Sequence, residues 1–188
     1  MASDAVAVLI GDPAAEAKAS TDWFVSISGQ LRFLSTGERA ALRRMPLGRS
    51  AGSDGVLIKL LSGAKVPTDL YERDYTRWRA VVQVAALLAG TGARASHDED
   101  ERVGTALYDA DVSEKRLMRF LAARDGGLND QLGLMARLLS RRNKPVNLWT
   151  LYHLIGRDER KAESARLRIA QDYYAAQARS QKDNSNDD

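Results

Sequence analysis

The stretch "LYERDYTRWRAVVQVAALLAG" (residues 70–90) decides the fold. Its large apolar positions, Tyr71, Tyr75, Trp78, Val81 or Val82, Ala85 and Leu88, recur at spacings of three and four. That is the repeat with which one face of an α-helix meets a core. Asp69 and Glu72 have the offset of a capping box, in which each residue's side chain satisfies the other's backbone N–H, and Gly90 supplies a stop. The spacing therefore predicts one long helix from Asp69 to Gly90. A striped helix of that length needs other helices to cover it.

The neighbouring segments supply them. Trp23, Ile27, Leu31 and Leu34 place a first helix over about residues 14–34. Ser35 and Glu38 form a second capping-box pattern, opening a short helix that ends before Pro46, because the residue before a proline avoids helical angles. "SDGVLIKLLSG" (53–63) reads as another short helix, closed by Gly63. Downstream, "VGTALY" (103–108) precedes "DVSEKRLMRFLAARDGG" (111–127), capped by Asp111 or Ser113 and stopped by Gly126 and Gly127. "LNDQLGLMARLLSRR" (128–142) halts before Pro145, Asn147 caps "LWTLYHLI", and a last helix begins near Asp158. No stretch alternates apolar and polar residues long enough to make a strand, so the fold class is an all-α helical bundle.

The expected organisation is an N-terminal helix and its approach (1–34), a helical lobe (35–92), an acidic loop (93–101), a second helical lobe (102–180) and a polar tail (181–188). The tail's composition, "QKDNSNDD", predicts disorder. The chain lacks the basic region of a secretory signal, and its apolar runs are far too short to span a bilayer, so the expectation is a cytoplasmic protein with no membrane partner.

Composition narrows the chemistry. The 188 residues include no cysteine, which removes disulfides, thiolate metal sites and thiol nucleophiles. There are two histidines. His97 falls in "SHDEDE", which reads as a solvated acidic loop, and His153 falls on a helix face without a second histidine nearby. Neither fits a metal-binding helix motif, and there is no phosphate-cradling glycine loop or nucleophile elbow. Asp109 and Asp111 suit turns and caps better than acid–base work. The expectation is a protein with no catalytic residue, no metal and no cofactor.

Net charge is only +3, but it is unevenly spread. Residues 30–80 sum to +5 and 102–144 to +4, whereas 1–29 sum to −3, 94–101 to −3 and 181–188 to −2. Segregation of this kind favours a polyanionic partner. "GERAALRRMPLGRS" (37–50) carries Arg43, Arg44 and Arg49. On the helix near Glu114, Lys115, Arg116 and Arg119 share one side while Leu117, Phe120 and Leu121 take the other. On the next, Arg137 and Arg141 stand four apart, followed by Arg142 and Lys144, with Leu132, Met135 and Leu139 turned inward. Few acids sit on those edges. Arginine binds phosphate with a bidentate fork, and no base-reading motif accompanies it, so the edges fit backbone contact.

The order of these segments resembles the CasB family. "GERAALRR" (37–44), "VGTALY" ahead of "SEKRLMRFLAA" (113–123), the "LLSRRNKPVNLWTL" segment and a closing "AQDYY" (170–174) carry the likeness over roughly residues 35–175. These proteins are small subunits of Cascade, the RNA-guided type I-E CRISPR complex of antiviral defence. The resemblance implies a non-catalytic helical protein that sits beside a second copy of itself and other Cascade subunits. It also implies contact with guide RNA and target DNA, chiefly the strand displaced in the R-loop. Arg43 and Arg44 fall on the family's arginine pair, and Lys115 and Arg116 on its basic motif, while Arg119, Arg137, Arg141, Arg142 and Lys144 rest on helix-face spacing. The alternatives are a stand-alone DNA-binding regulator or nucleoid-type factor, which requires a base-reading helix, and a structural adaptor that meets acidic protein surfaces.

Overall fold

In the computed structural model, residues 23–45, 55–90 and 94–185 are described. Among them all the regular elements are helices, with one isolated bridge between His97 and Val146. Residues 23–31 form α1. The others are α2 (Thr36–Arg44), α3 (Gly55–Gly63), α4 (Thr68–Arg73), α5 (Tyr75–Ala89), α6 (Val103–Asp109), α7 (Glu114–Ala122), α8 (Asp125–Arg142), α9 (Leu148–Leu154) and α10 (Glu159–Ser185).

The long helix expected from Asp69 is two helices. α4 starts after Pro67, whose carbonyl accepts from Leu70 and Tyr71, and the Asp69–Glu72 box does not form. The chain bends at Asp74, whose carboxylate lies 3.7 Å from both Arg73 and Arg77. The second half is buried almost all round, Arg79 and Gln83 included, so α5 is the central element and not a one-sided stripe. Its alanines and valines are small enough for α2, α8 and α9 to pack against it together.

Three further details correct the local reading. Gly126 and Gly127 lie inside the first turn of α8. The actual break is at Ala123–Arg124, where the Arg124 guanidinium donates to the carbonyls of Leu121 (2.9 Å) and Ala123 (3.0 Å) at the end of α7. α10 runs to Ser185, so helix occupies much of the tail expected to be disordered. Its buried stripe, Ala162, Ala165, Ile169, Tyr173 and Ala176, packs on α6, α7 and α9. The closest approach is at Gly104 of α6. A Cβ there would stand 2.7 Å from the Tyr173 nitrogen and would strike the Ile169 carbonyl.

The Ser35–Glu38 box is present: Glu38 N–H donates to Ser35 Oγ (3.2 Å), and Ser35 N–H to Glu38 Oε2 (2.8 Å). That backbone bond, helped by Lys59, lowers the Glu38 carboxyl to about 2. Asn147 caps α9 through Trp149 N–H at 2.9 Å. One continuous core joins residues on either side of the 94–101 segment. At its centre Phe24, Trp78, Trp149 and Tyr152 interlock, with ring centroids 4.4 Å apart for Phe24–Trp149 and 4.9 Å for Trp78–Tyr152.

Candidate nucleic-acid interface

α7 is the clearest amphipathic element. Leu117 and Phe120 are buried, and Lys115, Arg116 and Arg119 are exposed. α8 repeats the arrangement, with Leu132, Met135 and Leu139 inside and Arg137 and Arg141 outside. The two helices meet near the α6–α7 turn. Arg142 bonds to the Asp111 carboxylate, and Lys144 Nζ lies 3.1 Å from Asp109 Oδ2. These pairs tie the end of α8 to that turn, immediately before Lys115 and Arg116. The end of α8 that carries Arg141, Arg142 and Lys144 is thereby held at the turn that leads into Lys115 and Arg116.

The expectation that acids are scarce on these edges needs correcting at two positions. Asp109 and Asp111, which read as turn residues, engage Lys144 and Arg142. Both pairs are exposed, so each contributes little to stability and leaves its cation within reach of a phosphate. Lys115, Arg116, Arg119, Arg137 and Arg141 have no carboxylate partner among the described residues.

Arg43 and Arg44 end α2, where cations also favour the helix dipole. Gln83 holds that end from the core: its Nε2 donates to the carbonyls of Met45 and, at 3.2 Å, Arg43. Arg44 is exposed and Arg43 half-buried. α2 packs on α5, α5 on α8, and α8 on α7, so two helices stand in the chain of contacts between this pair and the α7–α8 group. Arg49 lies outside the described residues.

The sequence did not point to Gln83, because a lone glutamine within an apolar helix has no motif. His97 also differs from its reading. It is buried, its Nδ1 accepts from Leu148 N–H at 3.1 Å, and its pKa is lowered by loss of solvation. Ser96 beside it bonds Ser28 Oγ at 2.9 Å, so part of the acidic segment is structural. Among the described residues no group of three or more His, Asp and Glu is placed to hold a metal ion. No described helix is long and apolar enough to cross a membrane.

The model of the family described as CRISPR-associated protein Cse2 matches residues 38–174, from the α2 capping box to the exposed Tyr174 of α10. The chain belongs to the Cse2 family. Cse2 is the CasB small subunit of type I-E Cascade, so this Cse2 chain is a subunit of a CRISPR Cascade complex, not a stand-alone regulator. The Cse2 match includes all the described basic residues above. The chain has no significant match among curated proteins or among solved structures.

Proposed function

We propose that this Cascade subunit binds nucleic-acid backbone without reading sequence, and so steadies the opened DNA of the R-loop, chiefly its displaced strand. R-loop formation is nearly balanced in free energy, so a few phosphate contacts shift it. The observation that supports this reading is the exposed row Lys115, Arg116, Arg119, Arg137 and Arg141, mounted on two helices whose other faces are buried. Arg43 and Arg44 add a second contact on α2. Phe24, Trp78, Trp149 and Tyr152 are committed to the core, and among the described residues the exposed aromatics are Phe33 and Tyr174, too few for a broad stacking platform. The subunit acts without catalysis or a cofactor, in the cytoplasm, beside the other Cascade subunits and a second copy of itself.

The test is DNA binding by Cascade carrying the alanine variant of Arg43, Arg44, Lys115 and Arg116, over a salt series with two unrelated targets and matching guides. If each residue neutralises about one phosphate, the slope of log affinity against log salt flattens by roughly 3 to 4. The loss is equal for both targets, and guide RNA binding survives. An unchanged slope, or a loss confined to one target, overturns the reading.

A further inference from the structure

The seam between α7 and α10 carries apolar side chains that the core does not take up. Two bonds fix how these helices lie. Arg124 Nη2, just past the end of α7, meets Glu163 Oε1 at 2.8 Å, and at the start of α7 the Tyr174 hydroxyl donates to Glu114 Oε1, also at 2.8 Å. The helices are therefore antiparallel. Positions 163, 167, 170 and 174 share one face of α10, and 114, 118 and 121 one face of α7, so both faces border the seam. On its solvent side Met118 is 52% exposed, Leu167 63% and Tyr174 37%. Met118 Sδ lies 3.9 Å from the Tyr174 hydroxyl, so these two side chains form one surface.

A lone exposed apolar side chain is ordinary, but a cluster with a charged rim marks an interaction site. Here the rim is cationic. Lys115 and Arg119 flank Met118 on α7, and Arg168 follows Leu167 on α10. All three are exposed and have no carboxylate partner among the described residues. The carboxylates of the seam are already engaged, Glu114 by Tyr174 and Glu163 by Arg124 and Arg166. An apolar strip between cations fits a polyanion that also offers apolar faces. A single strand does so, whereas a duplex hides its bases in the stack. Lys115 and Arg119 belong to the row assigned to phosphate above, and that continuity favours a strand over an acidic protein helix.

We propose that the strip formed by Met118, Leu167 and Tyr174 holds unpaired bases of the strand whose phosphates meet Lys115 and Arg119. The proposal rests on the backbone reading and adds to it the feature that separates an opened strand from a duplex. The Tyr174 ring takes the face of one base, and Met118 and Leu167 extend the apolar contact beside it. Glu114 steadies the ring by accepting from its hydroxyl. Every base has such a face, so the contact tolerates any sequence.

Fluorescence anisotropy of the full chain with oligothymidine and with an abasic oligodeoxynucleotide of equal length tests it, because the two differ only in their bases. The parent chain is expected to bind oligothymidine about fivefold more tightly. Tyr174→Ala removes that preference, while its salt slope stays that of the parent, since an apolar contact releases no counterions. Tyr174→Phe keeps the ring and keeps the preference. The alanine variant of Arg43, Arg44, Lys115 and Arg116 weakens both oligonucleotides alike. Equal binding of the two by the parent chain, or a preference that survives Tyr174→Ala, overturns this proposal and leaves the backbone reading standing. Failure to bind either oligonucleotide overturns both. Cascade assembled with Tyr174→Ala is expected to retain the subunit. Its loss from the complex would make the strip a protein interface and also overturn the proposal.

Discussion

Gln83 carries more of the architecture than its type suggests. The last carbonyls of a helix have no partner within it, and at the end of α2 two of the acceptors meet the Gln83 amide. Replacing Gln83 with leucine keeps the volume but removes the donor, leaving those carbonyls unsatisfied beside the core. We expect Gln83→Leu to cost about 1–3 kcal/mol in denaturant unfolding. The amides of residues 40–45 should exchange faster with solvent, and the Arg43–Arg44 contribution to DNA binding should fall with them. Unfolding and exchange identical to the parent chain would show that Gln83 only fills space.

The helices show where backbone geometry, and not side-chain chemistry, sets the contacts. α6 approaches α10 so closely that Gly104 has no room for a Cβ against the Ile169 carbonyl and the Tyr173 nitrogen. Both partners are backbone, which cannot swing aside. Gly104→Val should therefore separate the two helices, with a destabilisation of about 3 kcal/mol or more and loss of the Tyr173 hydroxyl bond to Val112. Thermal unfolding and near-ultraviolet circular dichroism check this. At the other end of α6, Asp109 and Asp111 hold Lys144 and Arg142. Neutralising both as asparagine should free two cations and steepen the salt slope of DNA binding by up to about 2. Stability should change little, because exposed pairs contribute under about 1 kcal/mol each. A slope that does not move would place this corner away from the nucleic acid.

Across the whole molecule, α5 and the aromatic cluster join the parts of the chain before and after residues 94–101 in one core. Two histidines sit at that junction, and both are held neutral. His153 is lowered to about 4 by loss of solvation, with Arg77, Lys161 and Arg168 adding repulsion. His97 shifts in the same direction, because loss of solvation outweighs its contact with the Val146 carbonyl and the attraction of Glu99 and Asp98. In the unfolded chain both titrate near 6.5, so below that pH the unfolded state binds the extra protons. The contribution is complete above about pH 6.5 and is lost as pH falls toward 4. The melting temperature should decline over that window, and His153→Gln should flatten the decline. A profile unaffected by that substitution would assign the acid sensitivity to carboxylates.

Local rules were enough for much of this protein. Three- and four-residue spacing made it all-helical, and the Ser35–Glu38 box and the Asn147 cap have the bonds their patterns imply. The inward faces of α7 and α8 were also visible, because amphipathic period is a property of consecutive residues. The order of short motifs pointed to the family that the match over residues 38–174 establishes. Other features depend on partners far along the chain. Asp74 bends the helix beside Arg77, whose guanidinium lies 3.3 Å from the Tyr152 ring centre, seventy-five residues on from it. His97 looked solvated among acids until α1 and α9 closed over it. Asp109 and Asp111 looked like turn residues until the end of α8 arrived beside them. Hydrophobic period and capping act within a turn or two of helix, so sequence states them directly. Burial, ion pairing and cavities arise where distant segments meet, and folding alone brings those segments together.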